Sequence, residues 1–162
     1  MKIPKKLLNS KALIILTVII VLGAFLLGLA VPQSQVPEAG AASPYSYEIM
    51  LLARLIRAEA EGEPFAGQVG VASVVLNRIR HPSFPHSIAS VIFQPHAFES
   101  VSRGLIWRRA PAAQHIRAAL AALNGWDPTF GALFFWNPAK RVSPWIWTRR
   151  IITQIGRHIF AR

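Results

Sequence analysis

Cysteine is absent from the chain. Disulfides and thiolate metal sites are therefore excluded. Acidic residues are scarce: 7 Asp and Glu stand against 18 Lys and Arg, a formal net charge of +11. The five histidines show no H-E-x-x-H spacing, so no zinc site is expected. No G-x-S-x-G nucleophile elbow and no glycine-rich phosphate loop occur. Neither a metal nor an organic cofactor is expected, and no internal repeat is found.

What is present divides the chain. Residues 1–11 form a basic leader with Lys2, Lys5, Lys6 and Lys11. Residues 12–31, ALIILTVIIVLGAFLLGLAV, are 20 residues without a charge. A helix rising about 1.5 Å per residue would carry such a run across roughly the 30 Å of a bilayer core. The lysines all precede it, so the leader is expected to stay cytoplasmic and the remainder to be exported. The run is longer than most secretory apolar regions, which favours an uncleaved signal anchor over a cleaved signal peptide. An A-x-A pattern at Ala39–Ala41 keeps cleavage open as the alternative. Residues 32–46 are rich in Pro, Ser, Ala and Gly and read as a tether.

From Tyr47 onward about 115 residues remain, enough for one modest core. They carry 14 basic against 6 acidic residues. Such a surface favours a polyanionic neighbour: nucleic acid, anionic lipid or an acidic wall. Ile49, Leu52, Ala53, Leu55 and Ile56 recur at helical spacing, and Gly62 and Pro64 end that helix. A second helix is predicted over Ala66–Arg78, with Val69, Ala72, Val75 and Leu76 inward. A short one is predicted over Ser87–Phe93, and an alanine-rich one over Pro111–Leu123, closed by Asn124-Gly125. Ala132–Trp136 and Ile151–Phe160 read as strands. The fold class is α+β, helices first and a small sheet last.

Three of the six acids lie in AEAEGEP, as Glu59, Glu61 and Glu63. Glu59 and Glu63 are four apart and would share a face if the helix extended that far. Two carboxylates that close raise the proton affinity of one, which suits a general acid. Acids that merely solvate a helix end give the same pattern. All five tryptophans come late, and their rings suit sugars, nucleobases or simply a core. Trp145 and Trp147 flank Ile146, so on a strand they would share a face.

The run ARLIRAEAEGEPFAGQVGVASVVLNRI is followed in order by SVIFQPHAF, LNGWDPTFGALFFWNP, WIWTR and IGRHIFA. This series resembles the SleB-type cell-wall hydrolase domain, the catalytic domain of spore cortex-lytic enzymes, over roughly 47–162. The resemblance implies a lysozyme-like fold related to lytic transglycosylases. It implies cleavage of peptidoglycan between N-acetylmuramic acid and N-acetylglucosamine, in spore cortex or vegetative wall. It places the catalytic glutamate in AEAEGEP, at Glu59, with Glu63 as the alternative. Gln68, Asn77, Phe98, Trp107, Asn137 and Trp145 also fall in motif positions and are expected to line the cleft. Glu99 departs from the family pattern and offers a second carboxylate. The expected partners are peptidoglycan and, through the leader, a membrane, with nucleic acid disfavoured. The alternatives are true hydrolysis assisted by Glu99 or Asp127, an amidase, and a non-catalytic wall-binding protein.

Overall fold

The structure is a computed structural model that describes residues 45–162. The leader, the apolar run and most of the tether lie outside the described residues. Among the described residues no helix is long and apolar enough to cross a membrane.

Helix α1 (Tyr47–Ala60) begins at Ser46, whose hydroxyl accepts a hydrogen bond from the Ile49 amide. Glu48 in the first turn and Arg57 in the last complement the helix dipole. The helix stops at Ala60, so Glu63 lies in the following turn and not on the face of Glu59. Helix α2 (Phe65–Arg80) starts directly after Pro64, which needs no amide donor there. Short helices α3 (Ile88–Ile92) and α4 (Glu99–Ser102) follow, then a 3₁₀ turn at Leu105–Trp107. Helix α5 (Ala113–Leu123) packs on both α1 and α2. Its small inward residues Ala118, Ala119 and Ala122 permit that close approach. Leu51, Leu52, Leu55, Ile56, Val69, Ala72 and Val75 form the main core against it. The four inward positions expected on α2 are all buried.

The sheet is antiparallel, ordered β1 (Phe134–Trp136), β3 (His158–Ala161), β2 (Ile151–Ile155). The central strand β3 is wholly buried. Two expectations are corrected here. Ile151–Phe160 is not one strand: it folds back as the β2–β3 hairpin at Gly156-Arg157. Gly156 takes φ +59° at the first turn position, where tight hairpins of type II′ need glycine. A Cβ there would also stand 2.3 Å from a Glu63 carboxylate oxygen. The segment with Trp145 and Trp147 is a 3₁₀ turn, Pro144–Thr148, and not a strand. Pro144 fits the first turn of a helix, and the Thr148 hydroxyl donates to the Trp145 carbonyl at 2.8 Å. The two rings therefore part: Trp145 meets Phe134 edge-on, and Trp147 meets Trp136.

Sheet and helices join where Phe160 packs with Val74 and Ala132. Gly70 makes this possible, since a Cβ there would lie 2.8 Å from the Phe160 ring.

Candidate active site

Glu59 sits in the last turn of α1, half-buried. The amide of Ser100, in the first turn of α4, donates to its Oε1 at 3.2 Å. That bond sets the orientation of the carboxylate from a second element. Glu59 lines a pocket of about 170 Å³ between the helices and the sheet. Phe98 and Glu99 form one wall, and Phe135, Trp136, Asn137 and His158 form the other. Lys140 and Arg141 stand on the rim. A second hollow of about 270 Å³ adjoins it and shares Arg78, Ala97 and Phe135. Phe84, Phe134 and Trp145 give that hollow its aromatic lining. Together they form a groove with a carboxylate in one part and ring faces in the next, which suits a chain of sugars.

Glu63 is placed quite differently. Its side chain is only 3% exposed and is clamped to the hairpin turn. The Arg157 amide donates to Oε2 at 2.8 Å, and the Arg157 Nε donates to Oε1 at 2.7 Å. Burial alone would raise its pKa, but the two Arg157 hydrogen bonds outweigh burial and hold it below the ordinary glutamate value. Glu63 is an ionised clamp and lines no part of the groove.

The other expected site residues divide as well. Phe98 and Asn137 line the Glu59 pocket, and Trp145 lines the adjoining hollow. Gln68 is buried beneath the α1–α2 turn, where its Nε2 donates to the Glu63 carbonyl. Asn77 donates to Asp127 Oδ2 at 2.9 Å and to the Ala132 carbonyl, away from Glu59. Trp107 is half exposed, stacked on Phe93 and beneath the Arg54 guanidinium, and lines neither hollow.

Asp127 also serves the fold. Burial would raise its pKa, but hydrogen bonds from Thr129, Asn77 and Gly131 lower it and tie up the loop before β1. Glu99 does line the Glu59 pocket and forms an exposed ion pair with Arg103 at 2.9 Å.

Among the groove residues that the sequence reading did not single out, two are buried titratable groups, His158 and Arg78. His158 is buried, and its Nδ1 lacks a partner among the described residues. Burial, the larger influence, lowers its pKa. Arg78 is buried with its Nε on the Leu133 carbonyl at 2.8 Å. A signal for Arg78 existed: it continues the inward row Val71, Val75 on α2, where a basic residue is out of place. No comparable signal marks His158. Among the described residues no group of His, Asp and Glu could hold a metal ion.

Residues 62–161 match the family model described as Cell Wall Hydrolase. The spore cortex-lytic enzyme of Oceanobacillus iheyensis is 46% identical over 132 residues, 81% of this chain and 46% of that protein. The spore cortex-lytic enzyme of Bacillus subtilis is 50% identical over 113 residues, 70% of this chain and 37% of that protein. The chain thus spans less than half the length of these relatives. The solved catalytic domain of the germination-specific lytic transglycosylase SleB from Bacillus anthracis superimposes with a TM-score of 0.68 at 45% identity. It is covered completely by 75% of this chain. A helical domain closed by a three-stranded antiparallel sheet, matched in sequence and in three dimensions, makes this chain a member of the cell wall hydrolase family.

Proposed function

We propose that this chain cleaves the glycan strand of peptidoglycan between N-acetylmuramic acid and N-acetylglucosamine, as a lytic transglycosylase, with Glu59 as the sole acid/base group. The observation that carries the reading is the contrast within AEAEGEP. Glu59 lines the groove with one hydrogen bond, whereas Glu63 is buried with each of its oxygens bonded by Arg157.

Glu59, protonated, donates to the glycosidic oxygen as the C1–O bond breaks. The substrate's own 2-acetamido group stabilises the cationic centre that develops at C1. Glu59, now ionised, takes the proton of the muramyl C6 hydroxyl as that oxygen closes onto C1. The product is a 1,6-anhydro sugar, no water is consumed, and Glu59 regains its proton. A hydrolytic glycosidase needs two carboxylates flanking the bond. Glu99 shares the pocket, so hydrolysis assisted by Glu99 is the second reading. Muropeptide analysis of sacculi and spore cortex digested by the full chain separates them. Anhydromuramic ends support the transglycosylase, and reducing muramic ends overturn it in favour of hydrolysis.

Spore cortex is the proposed substrate, because the relatives from Oceanobacillus iheyensis and Bacillus subtilis are spore cortex-lytic enzymes. The apolar run 12–31 is proposed to tether the domain outside the cytoplasmic membrane. Fractionation of expressing cells tests this, and recovery of the protein free of membrane with a shortened N-terminus would replace the anchor with a cleaved signal.

A further inference from the structure

Buried charges in a folded chain are normally paired, because an ionised group away from water is costly unless a counter-charge or several hydrogen bonds offset it. Glu63 obeys this rule through Arg157. Arg78 does not. It is 7% exposed, and none of the ion pairs among the described residues includes it. Of the five N–H donors of a guanidinium, the Nε is bonded, to the Leu133 carbonyl. Three rings surround the charged carbon, Phe98 at 5.1 Å, Phe84 at 5.2 Å and Phe134 at 5.7 Å. These contacts stabilise the cation and fix its plane, and the outer nitrogens have no hydrogen-bond acceptor among the described residues. Burial lowers the Arg78 pKa to about 10, so the group remains charged at neutral pH.

Its place is as telling as its lack of a counter-ion. Arg78 lines both the Glu59 pocket and the Trp145 hollow, at the junction of the groove. A planar guanidinium donates in its own plane to carboxylate or carbonyl oxygens, and its positive charge strengthens each such bond. In a glycan strand of alternating sugars, the muramyl unit bears a 3-O-lactyl group whose carbonyl oxygen, in amide or lactam form, accepts hydrogen bonds, and the glucosamine unit has no such group. We infer that Arg78 is a binding site for the lactyl carbonyl oxygen of the muramyl unit and so sets the register of the strand over Glu59. Of the two alternating glycosidic bonds, the one presented to Glu59 is then chosen by a contact one substituent away from it. This inference rests on the glycan-cleaving reading above and adds a specificity residue to it.

The test uses the full chain carrying Glu59→Gln, so that bound glycan stays intact. Two probes are titrated: a tetrasaccharide of alternating glucosamine and muramic acid whose lactyl groups carry amide-linked alanine, and chitotetraose, which lacks lactyl groups. The muramyl glycan should bind more tightly, and adding Arg78→Gln should weaken it by about 10-fold or more, as expected for a lost hydrogen bond to a charged group. Chitotetraose should change by less than about 2-fold, since it makes no such bond. Equal weakening of both glycans would reduce Arg78 to a structural role and overturn the inference, as would no weakening at all. If Arg78→Gln does not fold, the Arg78 Nε–H resonance in the Glu59→Gln chain decides. A shift with the muramyl glycan and none with chitotetraose supports the site, and any other pattern overturns it. Failure of the underlying reading shows separately, as a wild-type chain that releases no fragments from sacculi.

Discussion

The two ends of AEAEGEP carry the same side chain in opposite circumstances. At one end Glu59 faces the groove and accepts one backbone hydrogen bond. At the other end Glu63 is buried and receives both an amide and a guanidinium from a hairpin 94 residues away in sequence. A carboxylate held ionised by a donor on each oxygen cannot act as a general acid near neutral pH. A carboxylate with spare lone pairs beside an open pocket can exchange a proton with a ligand. The two carboxylates differ, then, in the partners that surround them.

The sharpest way to break the comparison is to remove each carboxylate separately. Glu59→Gln should lower the rate of sacculus lysis by about 10²–10⁴-fold, the typical contribution of a positioned acid/base group. Its thermal midpoint should stay close to that of the wild type, because one half-exposed hydrogen bond is altered. A well-folded, fully active variant would transfer the catalytic role elsewhere. Glu63→Ala should do the reverse. It leaves the Arg157 amide without its acceptor and should cost about 1–3 kcal/mol in urea unfolding. The ion pair itself adds little, since the Arg157 side chain is 65% exposed and screened by solvent. Activity per folded molecule should be largely kept, and a stable but inactive Glu63→Ala protein would reverse the assignment of the two glutamates.

Acid titration sharpens the same contrast more gently. The folded-state pKa of Glu63 lies below its unfolded value, so its contribution is present above the unfolded pKa of about 4.3. That contribution is lost as pH falls through the folded pKa. Asp127, also depressed, acts in the same direction. The stability gap between wild type and Glu63→Gln should therefore be widest near neutral pH and close in acid. A gap that grows on acidification contradicts the clamp. The smallest effect is expected at Glu99. Breaking its exposed pair with Arg103 by Glu99→Gln should change stability by less than about 1 kcal/mol. Sacculus lysis should persist, whereas the hydrolytic reading requires that it collapse.

The helical part was legible because periodicity is dense there: the inward positions of α2 and the end of α1 before Gly62 follow from spacing alone. The sheet was less so. Short strands of three to five residues carry too little alternation to show where Gly156 turns the chain. The Pro144–Thr148 segment is rich in aromatic residues, which favour strands, but it is held as a 3₁₀ turn by a proline and a threonine hydroxyl. The groove was partly visible. Phe98, Asn137 and Trp145 are brought to it, but Gln68 and Asn77 face backbone that the linear sequence cannot show. His158 and Arg78 needed the tertiary fold to bring β3 and α2 together at the pocket.

The Arg157–Glu63 clamp is also expected to form late in folding. It closes a loop of 94 residues, and contacts of such long separation form late because the chain must lose conformational freedom before they reward it. The helices can assemble from near neighbours while the α1–α2 turn still waits for the hairpin. A product truncated before Arg157 would leave the Glu63 carboxylate without its counter-ion, against the underside of the very turn that follows Glu59. Such fragments should be open to proteolysis at that turn.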